Sequence, residues 1–352
     1  MTEQTIGIVG GGQLGRMLAV AAARLGFHTI ILEPSEKCPA AQVASSQITA
    51  AYDDPDALDT LAVLSDFITY EFENVPVQSA RILADKKPVY PPPEALEVAQ
   101  DRLTEKTFLH DCGIRTAEFI AVDSQDDLDR ALTTFNGKGV LKTRRLGYDG
   151  KGQVLFDDAG QSSAHLFSEL GSVPLILESL VPFIAEISVI GVRAGDGQIT
   201  CFDPARNHHS EGILRRSVVP ADVPERAIDE SRVATQKILE KLDYVGVVGV
   251  EFFVLSDGSI LANELAPRVH NSGHWTEAAC AASQFEQHIR AICGLPLASC
   301  IRHSDCEMEN LIGDEVERLP ELLQQPETIV QIYGKHEVRP GRKMGHFTRL
   351  IR

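Results

Sequence analysis

Residues 247–275 read VVGVEFFVLSDGSILANELAPRVHNSGHW, and this stretch decides how the C-terminal part of the chain folds. Two apolar, β-branched runs flank a short polar turn, which is typical of a β-hairpin. With Asp257 and Gly258 as a two-residue turn, Glu251 lies directly opposite Glu264. Two carboxylates about 5 Å apart on one face of a sheet repel each other, so a bare hairpin would be destabilised.

A divalent cation between Glu251 and Glu264 would remove this repulsion. Mg²⁺ prefers oxygen ligands, uses one or two carboxylates and completes its coordination with water and substrate phosphates. The residues that follow, 267–275, place an arginine, an amide and two histidines on loop positions, where side chains are free to bind a ligand. The first hypothesis is therefore a site for a metal–nucleotide complex.

Length and charge limit the class of protein. A chain of 352 residues predicts two or three domains. A formal net charge of −17 argues against a general nucleic-acid or membrane-surface binder. Anionic substrates must then be bound by local basic clusters, and there are two, one in mid-chain and one near the C-terminus: Lys142, Arg144, Arg145 and Lys151; Lys335, Arg339, Arg342, Lys343, Arg349 and Arg352.

Cysteine usage and hydropathy indicate the compartment. The seven cysteines form no C-x-x-C pair, which suits reduced thiols better than a disulfide framework or a zinc site. The sequence has neither a signal-peptide pattern nor an apolar run long enough to span a bilayer. We therefore expect a cytoplasmic protein without a membrane partner.

Alternating patterns divide the chain into three predicted domains. Residues 1–101 alternate short apolar strands with helical segments, which predicts a Rossmann-like domain with a parallel sheet. Residues 102–181 contain a helical link and a small α+β unit with a glycine-rich loop, and residues 182–352 contain long antiparallel strands. The predicted fold class is α/β combined with α+β.

Two glycine motifs carry competing interpretations. Gly10, Gly12 and Gly15 form G-x-G-x-x-G after a strand, and Glu33 lies near the position of a ribose-binding acid, so an NAD-dependent dehydrogenase is one alternative. Many such turns bind a phosphate without nicotinamide. The second loop, 144–153, joins two strands and is either a flexible hairpin tip or a cover over the phosphates of ATP.

The combination of motifs resembles the ATP-grasp enzymes, and within them the 5-(carboxyamino)imidazole ribonucleotide synthase family of purine biosynthesis. The matching segments span nearly the whole chain and are GGGQLGRM at 10–17, YEFENVP at 70–76, DRLT at 101–104, residues 142–153, residues 263–275 and GRKMGH at 341–346. The resemblance implies an ATP-grasp fold with a pre-ATP-grasp N-terminal domain, a small lid domain and a C-terminal antiparallel-sheet domain. It also implies a homodimer.

The activity implied by the resemblance is that of an ATP-dependent ligase. Its substrates would be ATP with Mg²⁺, bicarbonate and aminoimidazole ribonucleotide, and its products ADP, phosphate and the N-carboxylated ribonucleotide. Bicarbonate would first attack the γ-phosphate to form carboxyphosphate.

The resemblance also assigns roles to residues of this chain. The nucleotide site would comprise Arg102, Lys142, Gly147, Tyr148, Asp149, Gly150, Lys151, Gly152, Gln153, Glu178, Ser179, Leu180, Val181, Glu186, His209, Asn263 and Glu264. Mg²⁺ would bind Glu251 and Glu264, with Asn263 brought round by strand twist or a bulge. The catalytic group for bicarbonate and carboxyphosphate would be Arg145, Arg268, His270 and Asn271. The ribonucleotide would bind Glu73, Ser272, Lys335 and Arg342.

Three alternatives remain at this stage. A related ATP-grasp enzyme would use formate and glycinamide ribonucleotide. An NAD-dependent dehydrogenase would leave the pairing of Glu251 with Glu264 unexplained. A catalytically silent nucleotide-binding regulator would not need both a complete metal pair and the basic C-terminal cluster.

Overall fold

Three β-sheets follow one another along the chain. The computed structural model describes residues 4–147, 152–158 and 160–351. Within these residues the sheets have four, four and nine strands. None of the described helices is both long and apolar enough to cross a membrane.

The first sheet is parallel, as the alternating pattern predicts. Its strands have the order β3-β2-β1-β4 and are β1 (Thr5–Val9), β2 (His28–Leu32), β3 (Ser46–Ile48) and β4 (Phe67–Tyr70). The helices that follow these strands are α1 (Gln13–Arg24), α2 (Pro55–Leu64), α3 (Val77–Ala84) and α4 (Pro93–Ala99). Parallel strands must be joined by connections that cross from one end of the sheet to the other, and helices serve this purpose here. Apolar side chains of the strands and of these helices pack together on the faces of the sheet.

The second sheet is small and antiparallel. A link helix, α5 (Arg102–Asp111), precedes it and begins at Asp101, whose carboxylate accepts hydrogen bonds from the first-turn amides of Leu103 and Thr104. The unit consists of β5 (Phe119–Val122), α6 (Gln125–Thr134), β6 (Gly139–Thr143), β7 (Gln153–Phe156), α7 (Leu166–Glu169) and β8 (Leu175–Glu178). The strand order is β5-β8-β6-β7, so the second glycine loop joins neighbouring strands β6 and β7.

The third sheet contains nine strands, and all of its pairings are antiparallel. The strands are β9 (Phe183–Arg193), β10 (Ile199–Cys201), β11 (Ala205–Ser210), β12 (Ile213–Val219), β13 (Gly246–Leu255), β14 (Ile260–Ala266), β15 (Asp305–Ile312), β16 (Thr328–Ile332) and β17 (Lys343–Ile351). Helices α8 (Glu225–Lys241), α9 (Thr276–Ala279), α10 (Gln284–Ile292) and α11 (Leu319–Leu322) belong to the same part of the chain. The order β14-β13-β9-β11-β12-β15-β17-β16 puts β14 at one edge, and β10 pairs with β9.

The hairpin of β13 and β14 pairs Glu251 with Glu264, as predicted, but by a different route. The two-residue turn is wrong: Leu255 pairs with Ser259, and a three-residue loop containing Gly258 at φ +78° lies between them. This loop shifts the register by one residue. A bulge at Asn263 shifts it back, so that Phe252 pairs with Ala262 while Glu251 pairs with Glu264.

The three sheets lie within residues 5–70, 119–178 and 183–351. This arrangement accommodates the predicted boundaries at 101/102 and 181/182, which stay predictions.

Candidate active site

The bulge in β14 brings oxygen donors together at the centre of the hairpin. Oxygen and nitrogen atoms of Glu251, Glu264 and His270 lie within 4.8 Å of one another. Oδ1 of the bulged residue, Asn263, is buried and has no hydrogen-bond partner among the described residues. The two carboxylates fit a hard divalent cation, and the orphaned amide oxygen of Asn263, the residue before Glu264, is a candidate further donor. The bulge interrupts strict alternation at this residue, as the prediction for Asn263 required.

The surroundings of the Glu251 carboxyl disfavour its ionised form. Burial and then the neighbouring charge of Glu264 raise the pKa of Glu251 to about 8. A bound cation would stabilise the ionised form and so offset both effects. The two carboxylates are therefore poised to bind positive charge.

A second cluster on the lid side combines three charges. Nζ of Lys142, on β6, and Nζ of Lys106, on α5, lie 3.0 Å and 3.3 Å from Oε2 of Glu178. Burial alone would raise the pKa of Glu178, but the two ammonium groups hold it below its ordinary value. Oε1 of Glu178 is buried without a partner among the described residues, so it can accept a donor from a ligand.

Arg102 connects this cluster to the candidate metal pair, Glu251 and Glu264, hereafter the metal pair. Its Nη1 lies 3.6 Å from Oε2 of Glu264. The carboxylates of Glu264, Glu105 and Glu178 outweigh burial and raise the pKa of Arg102. A guanidinium at this point stays charged and can bind phosphate oxygens beside the metal.

The predicted ribose side lies on the two strands next to the hairpin in the third sheet, β9 and β11. Nδ1 of His209, on β11, lies 2.8 Å from Oε2 of Glu186, on β9. Burial lowers the pKa of His209, but the contact with Glu186 and the nearby acids outweigh burial and raise it. Ligand atoms of Glu186, His209 and Glu251 also lie within 4.8 Å of one another, so this pair adjoins the metal pair.

The loop after β14 carries the predicted catalytic arginine and histidine. Arg268 donates to the carboxylate of Glu73, which follows β4. Burial works against ionisation of Glu73, but the guanidinium of Arg268 lowers its pKa to about 2. The ion pair therefore joins the first and third domains of the predicted division at this loop.

His270 is buried and neutral. Burial and then the charge of Arg268 lower its pKa to about 3. The amide of Ser272 donates to Nδ1, and the Ser272 hydroxyl lies 2.8 Å from the same atom and accepts from Ser188. This network assigns the ring proton to Nε2, which lies 3.7 Å from Oε1 of Glu251.

Two predicted ligands on this loop are occupied by protein groups. Asn271 and Asn310 exchange side-chain hydrogen bonds of 2.9 Å and 2.7 Å. Ser272 has 0 % of its surface exposed, so its predicted contact with the ribonucleotide phosphate would require the loop to move. In the structure Ser272 orients His270 instead.

The remaining predicted positions lie around this centre. Arg145 is half-exposed and contacts Asp101 at 3.3 Å, where Arg144 forms a two-point pair, so it is not brought to His270. Lys335 donates to the carbonyl of Lys343, and Arg342 to that of Glu337. Gly147, Gly152, Gln153, Ser179, Leu180 and Val181 lie on the loops that follow β6 and β8, or at the start of β7. Tyr148, Asp149, Gly150 and Lys151 lie outside the described residues.

The first glycine turn binds an internal anion. The amides of Gly12 and Gly15 donate to the Glu71 carboxylate at 2.5 Å and 2.7 Å, and the amide of Gly11 donates to Glu33 at 3.0 Å. These are amides on which a dinucleotide fold would place its pyrophosphate. Glu33 also accepts from the Tyr52 hydroxyl and so is not free for a ribose. The geometry argues against the dehydrogenase alternative.

Comparisons with known proteins cover most of the chain. Three family models match: the ribonucleotide synthetase preATP-grasp domain over residues 3–100, the ATP-grasp domain over 107–285 and the phosphoribosylaminoimidazole carboxylase C-terminal domain over 306–351. The N5-carboxyaminoimidazole ribonucleotide synthase of Brucella melitensis is 58 % identical over 347 residues, which cover 98 % of this chain and 96 % of that protein. The chain belongs to the N5-carboxyaminoimidazole ribonucleotide synthase family.

Solved structures of this family have the same fold. The Staphylococcus aureus enzyme complexed with ADP has a TM-score of 0.94 at 39 % identity and covers 99 % of this chain and 93 % of its own. The Aspergillus clavatus enzyme in complex with ADP and 5-aminoimidazole ribonucleotide has a TM-score of 0.91 at 28 % identity and covers 99 % and 94 %. The predicted ATP-grasp fold with a pre-ATP-grasp domain is confirmed, and members of the family are ATP-dependent ligases.

Sequence reasoning missed four buried charged residues beside this family's site. They are Glu71 at the glycine turn, Glu105 and Lys106 on α5, and Asp101 at the start of that helix. Asp101 and Glu71 belong to segments that match the family, so their positions were available as a signal. Glu105 and Lys106 have no such signal, because charged residues in a helical segment are ordinarily solvated.

Proposed function

We propose that this chain carboxylates aminoimidazole ribonucleotide with bicarbonate at the expense of ATP, in the synthesis of purine nucleotides. The observation that carries the proposal is the pair of the buried Glu251 with the more accessible Glu264, which contacts Arg102 on one side and His270 on the other. Membership of the N5-carboxyaminoimidazole ribonucleotide synthase family supports the same conclusion.

ATP would bind between the lid sheet and the third sheet. Lys142 and Arg102 supply positive charge for the phosphates, and Glu178 has a buried acceptor for the adenine side. Glu186, which contacts His209, would bind a ribose hydroxyl. Mg²⁺ would be held by Glu251 and Glu264 with Asn263, and would neutralise charge on the phosphates.

In the first step an oxygen of bicarbonate attacks the γ-phosphorus, the bond to the β-phosphate oxygen breaks, and ADP leaves. The product is carboxyphosphate. Arg268 places a permanent positive charge beside His270, and Nε2–H of the neutral ring can donate to developing negative charge. The low pKa of His270 keeps the ring from taking up a second proton at neutral pH, so it would act as an uncharged hydrogen-bond donor through Nε2–H.

In the second step the amine of the ribonucleotide attacks the carboxyl carbon of carboxyphosphate and the carbon–oxygen bond to phosphate breaks, or that bond breaks first and the amine attacks the CO₂ released. In both routes phosphate leaves, and it can take up the proton that the amine loses. Glu73, which follows β4 and is fixed by Arg268, would bind the amine or ribose side. Lys335 and Arg342 would bind the 5′-phosphate.

The test is ADP release with Mg-ATP, measured with and without aminoimidazole ribonucleotide and bicarbonate. We expect release to depend on all of them. No stimulation by the ribonucleotide would refute the proposal, and dependence on formate and glycinamide ribonucleotide would favour the related transformylase activity. We further propose a cytoplasmic homodimer, to be checked by fractionation and by light scattering.

A further inference from the structure

The edge strand β14 is held at its bulge by groups from outside the sheet. The amide of Ala262 donates to the carbonyl of Arg115 at 2.7 Å. The amide of Leu265 donates to Oε1 of Glu105 at 2.5 Å, and the carbonyl of Asn263 accepts from Nζ of Lys106 at 3.4 Å. Two of these three contacts come from adjacent residues of α5, and together they bracket the metal ligand Glu264.

Lys106 has a second partner on the lid sheet. Its Nζ also lies 3.3 Å from Oε2 of Glu178, at the end of β8. One ammonium group therefore links the bulged strand to the carboxylate proposed for the adenine side. Because Lys106 and Lys142 both take Oε2, the other oxygen of Glu178 is left for a ligand.

Packing alone does not explain these two residues. Glu105 and Lys106 are 2 % and 1 % exposed, and α5 already packs through Leu109 and the half-buried Phe108. Charges removed from water are costly, and apolar side chains of similar volume would hold a helix in place as well or better. Glu105, as a hydrogen-bond acceptor, and Lys106, as a cation, can hold the backbone of β14 and the carboxylate of Glu178 in defined positions. Apolar side chains cannot do this.

We infer that Glu105 and Lys106 are positioning residues of the nucleotide site. Glu105 fixes the strand that presents Asn263 and Glu264, and Lys106 fixes Glu178 relative to that strand. Neither is assigned contact with a substrate. The inference rests on the proposed function for its choice of ligand, a nucleotide with a divalent cation.

The test for Glu105 compares Glu105→Gln, which keeps an acceptor oxygen, with Glu105→Met, which removes it. Binding of ADP is measured by titration calorimetry across a series of Mg²⁺ concentrations. The Met variant should need about tenfold more Mg²⁺ for the same ADP affinity, because supports behind metal ligands typically carry effects of that size. The Gln variant should restore the response of the unaltered chain. A Gln variant as weak as the Met variant would overturn the role of the acceptor.

The test for Lys106 is Lys106→Met, which keeps the length of the side chain and removes its charge. We expect ADP to bind about tenfold more weakly, and the KM for ATP to rise by the same factor. The KM for the ribonucleotide should stay unchanged, because Lys106 contacts no residue proposed for that substrate. Equal changes in both KM values would indicate general damage and overturn the positioning role.

A matched control exists on another helix. Glu240 and Lys241 are likewise adjacent, but both are exposed on α8. Glu240→Met and Lys241→Met should leave ADP binding and its Mg²⁺ dependence unaltered. If Glu105→Met and Lys106→Met behave like these controls, the inference is refuted.

Failure of the proposed function gives a different result. Binding of ADP requires no carboxylation. If the unaltered chain shows no ribonucleotide-dependent ADP release, the proposed function is refuted. If Lys106→Met still lowers ADP affinity in that case, the positioning role of Lys106 stands.

Discussion

Gly249 lies on β13 directly against the His270 ring, and replacing it with alanine tests the role of that histidine. A Cβ built on Gly249 lies 2.6 Å from Cβ and 2.9 Å from Cγ of His270. Carbon atoms in contact are ordinarily about 3.5–4.0 Å apart, so one partner must move by about 1 Å. Gly249 pairs with Ala266 and Ile190 on the two neighbouring strands, so the backbone of β13 resists this movement.

His270 is also held firmly, so the clash cannot be relieved without disturbing the site. The backbone amide of His270 donates to Oε1 of Gln284 at 2.8 Å, and Nε2 of Gln284 donates to the backbone carbonyl of His270 at 2.6 Å. We expect kcat for ribonucleotide-dependent ADP release to fall about 100-fold, since a displacement of 1 Å at a reacting group costs about that much. Overpacking should lower the free energy of unfolding by about 1–3 kcal/mol.

The assay measures kcat, ADP affinity and urea unfolding of Gly249→Ala beside Gly195→Ala. An added Cβ at Gly195 meets no atom within 4 Å, so this control should keep full activity. ADP affinity of Gly249→Ala should change little, because the clash lies on the acceptor side. A folded Gly249→Ala variant with unaltered kcat would remove His270 from the catalytic assignment.

Three further substitutions test the other contacts. Glu264→Gln should reduce Mg-ATP turnover by about 100-fold or more, because it removes a proposed metal ligand. The thermal stability of this variant should be kept or raised, because repulsion between two carboxylates is relieved. Unimpaired turnover would exclude the metal site. Glu73→Gln should lower the unfolding free energy at pH 7 by about 3 kcal/mol, since Arg268 holds the folded-state pKa of Glu73 near 2. That difference should be complete above pH 4.5 and shrink as pH falls towards 2; a pH-independent difference in denaturant titrations would contradict it. Glu71→Ala should raise the KM for the ribonucleotide by about tenfold, because Glu71 anchors the segment that carries Glu73. An unchanged KM would refute this role. In the same variant, calorimetry should detect sulfate binding to the amides of Gly12 and Gly15, which Glu71 no longer occupies.

The hairpin of β13 and β14 shows which features of the site can be predicted from the sequence pattern and which cannot. The two apolar runs and the polar turn of residues 247–264 are enough to pair two strands, and the pairing of Glu251 with Glu264 is confirmed. It survives because two unpredicted features cancel: a three-residue loop and a bulge at Asn263. A bulge has no reliable sequence signature, since any residue with a suitable partner can be the extra one. Only the structure shows the bulge, and with it the buried amide oxygen of Asn263 that lacks a partner among the described residues.

Side-chain partners were the hardest feature to predict. A histidine or serine on a loop is a reasonable candidate ligand, but whether it is free depends on residues distant in sequence. Ser272 is engaged by Ser188 and Asn271 by Asn310, both of which belong to other strands. The glycine turn is a further example: its fingerprint predicts an anion, and the anion is Glu71, 56 residues after Gly15. The roles assigned to these residues stay proposals until ligands are bound.

The contacts along β14 also affect how the protein behaves in concentrated solution. An uncovered edge strand presents a row of free amides and carbonyls to which a strand of another molecule can add. At the bulge those groups are already bonded to Arg115, Glu105 and Lys106. The supports that shape the metal pair therefore also shield the sheet from intermolecular pairing, and variants that loosen them should be checked for aggregation as well as for lost activity.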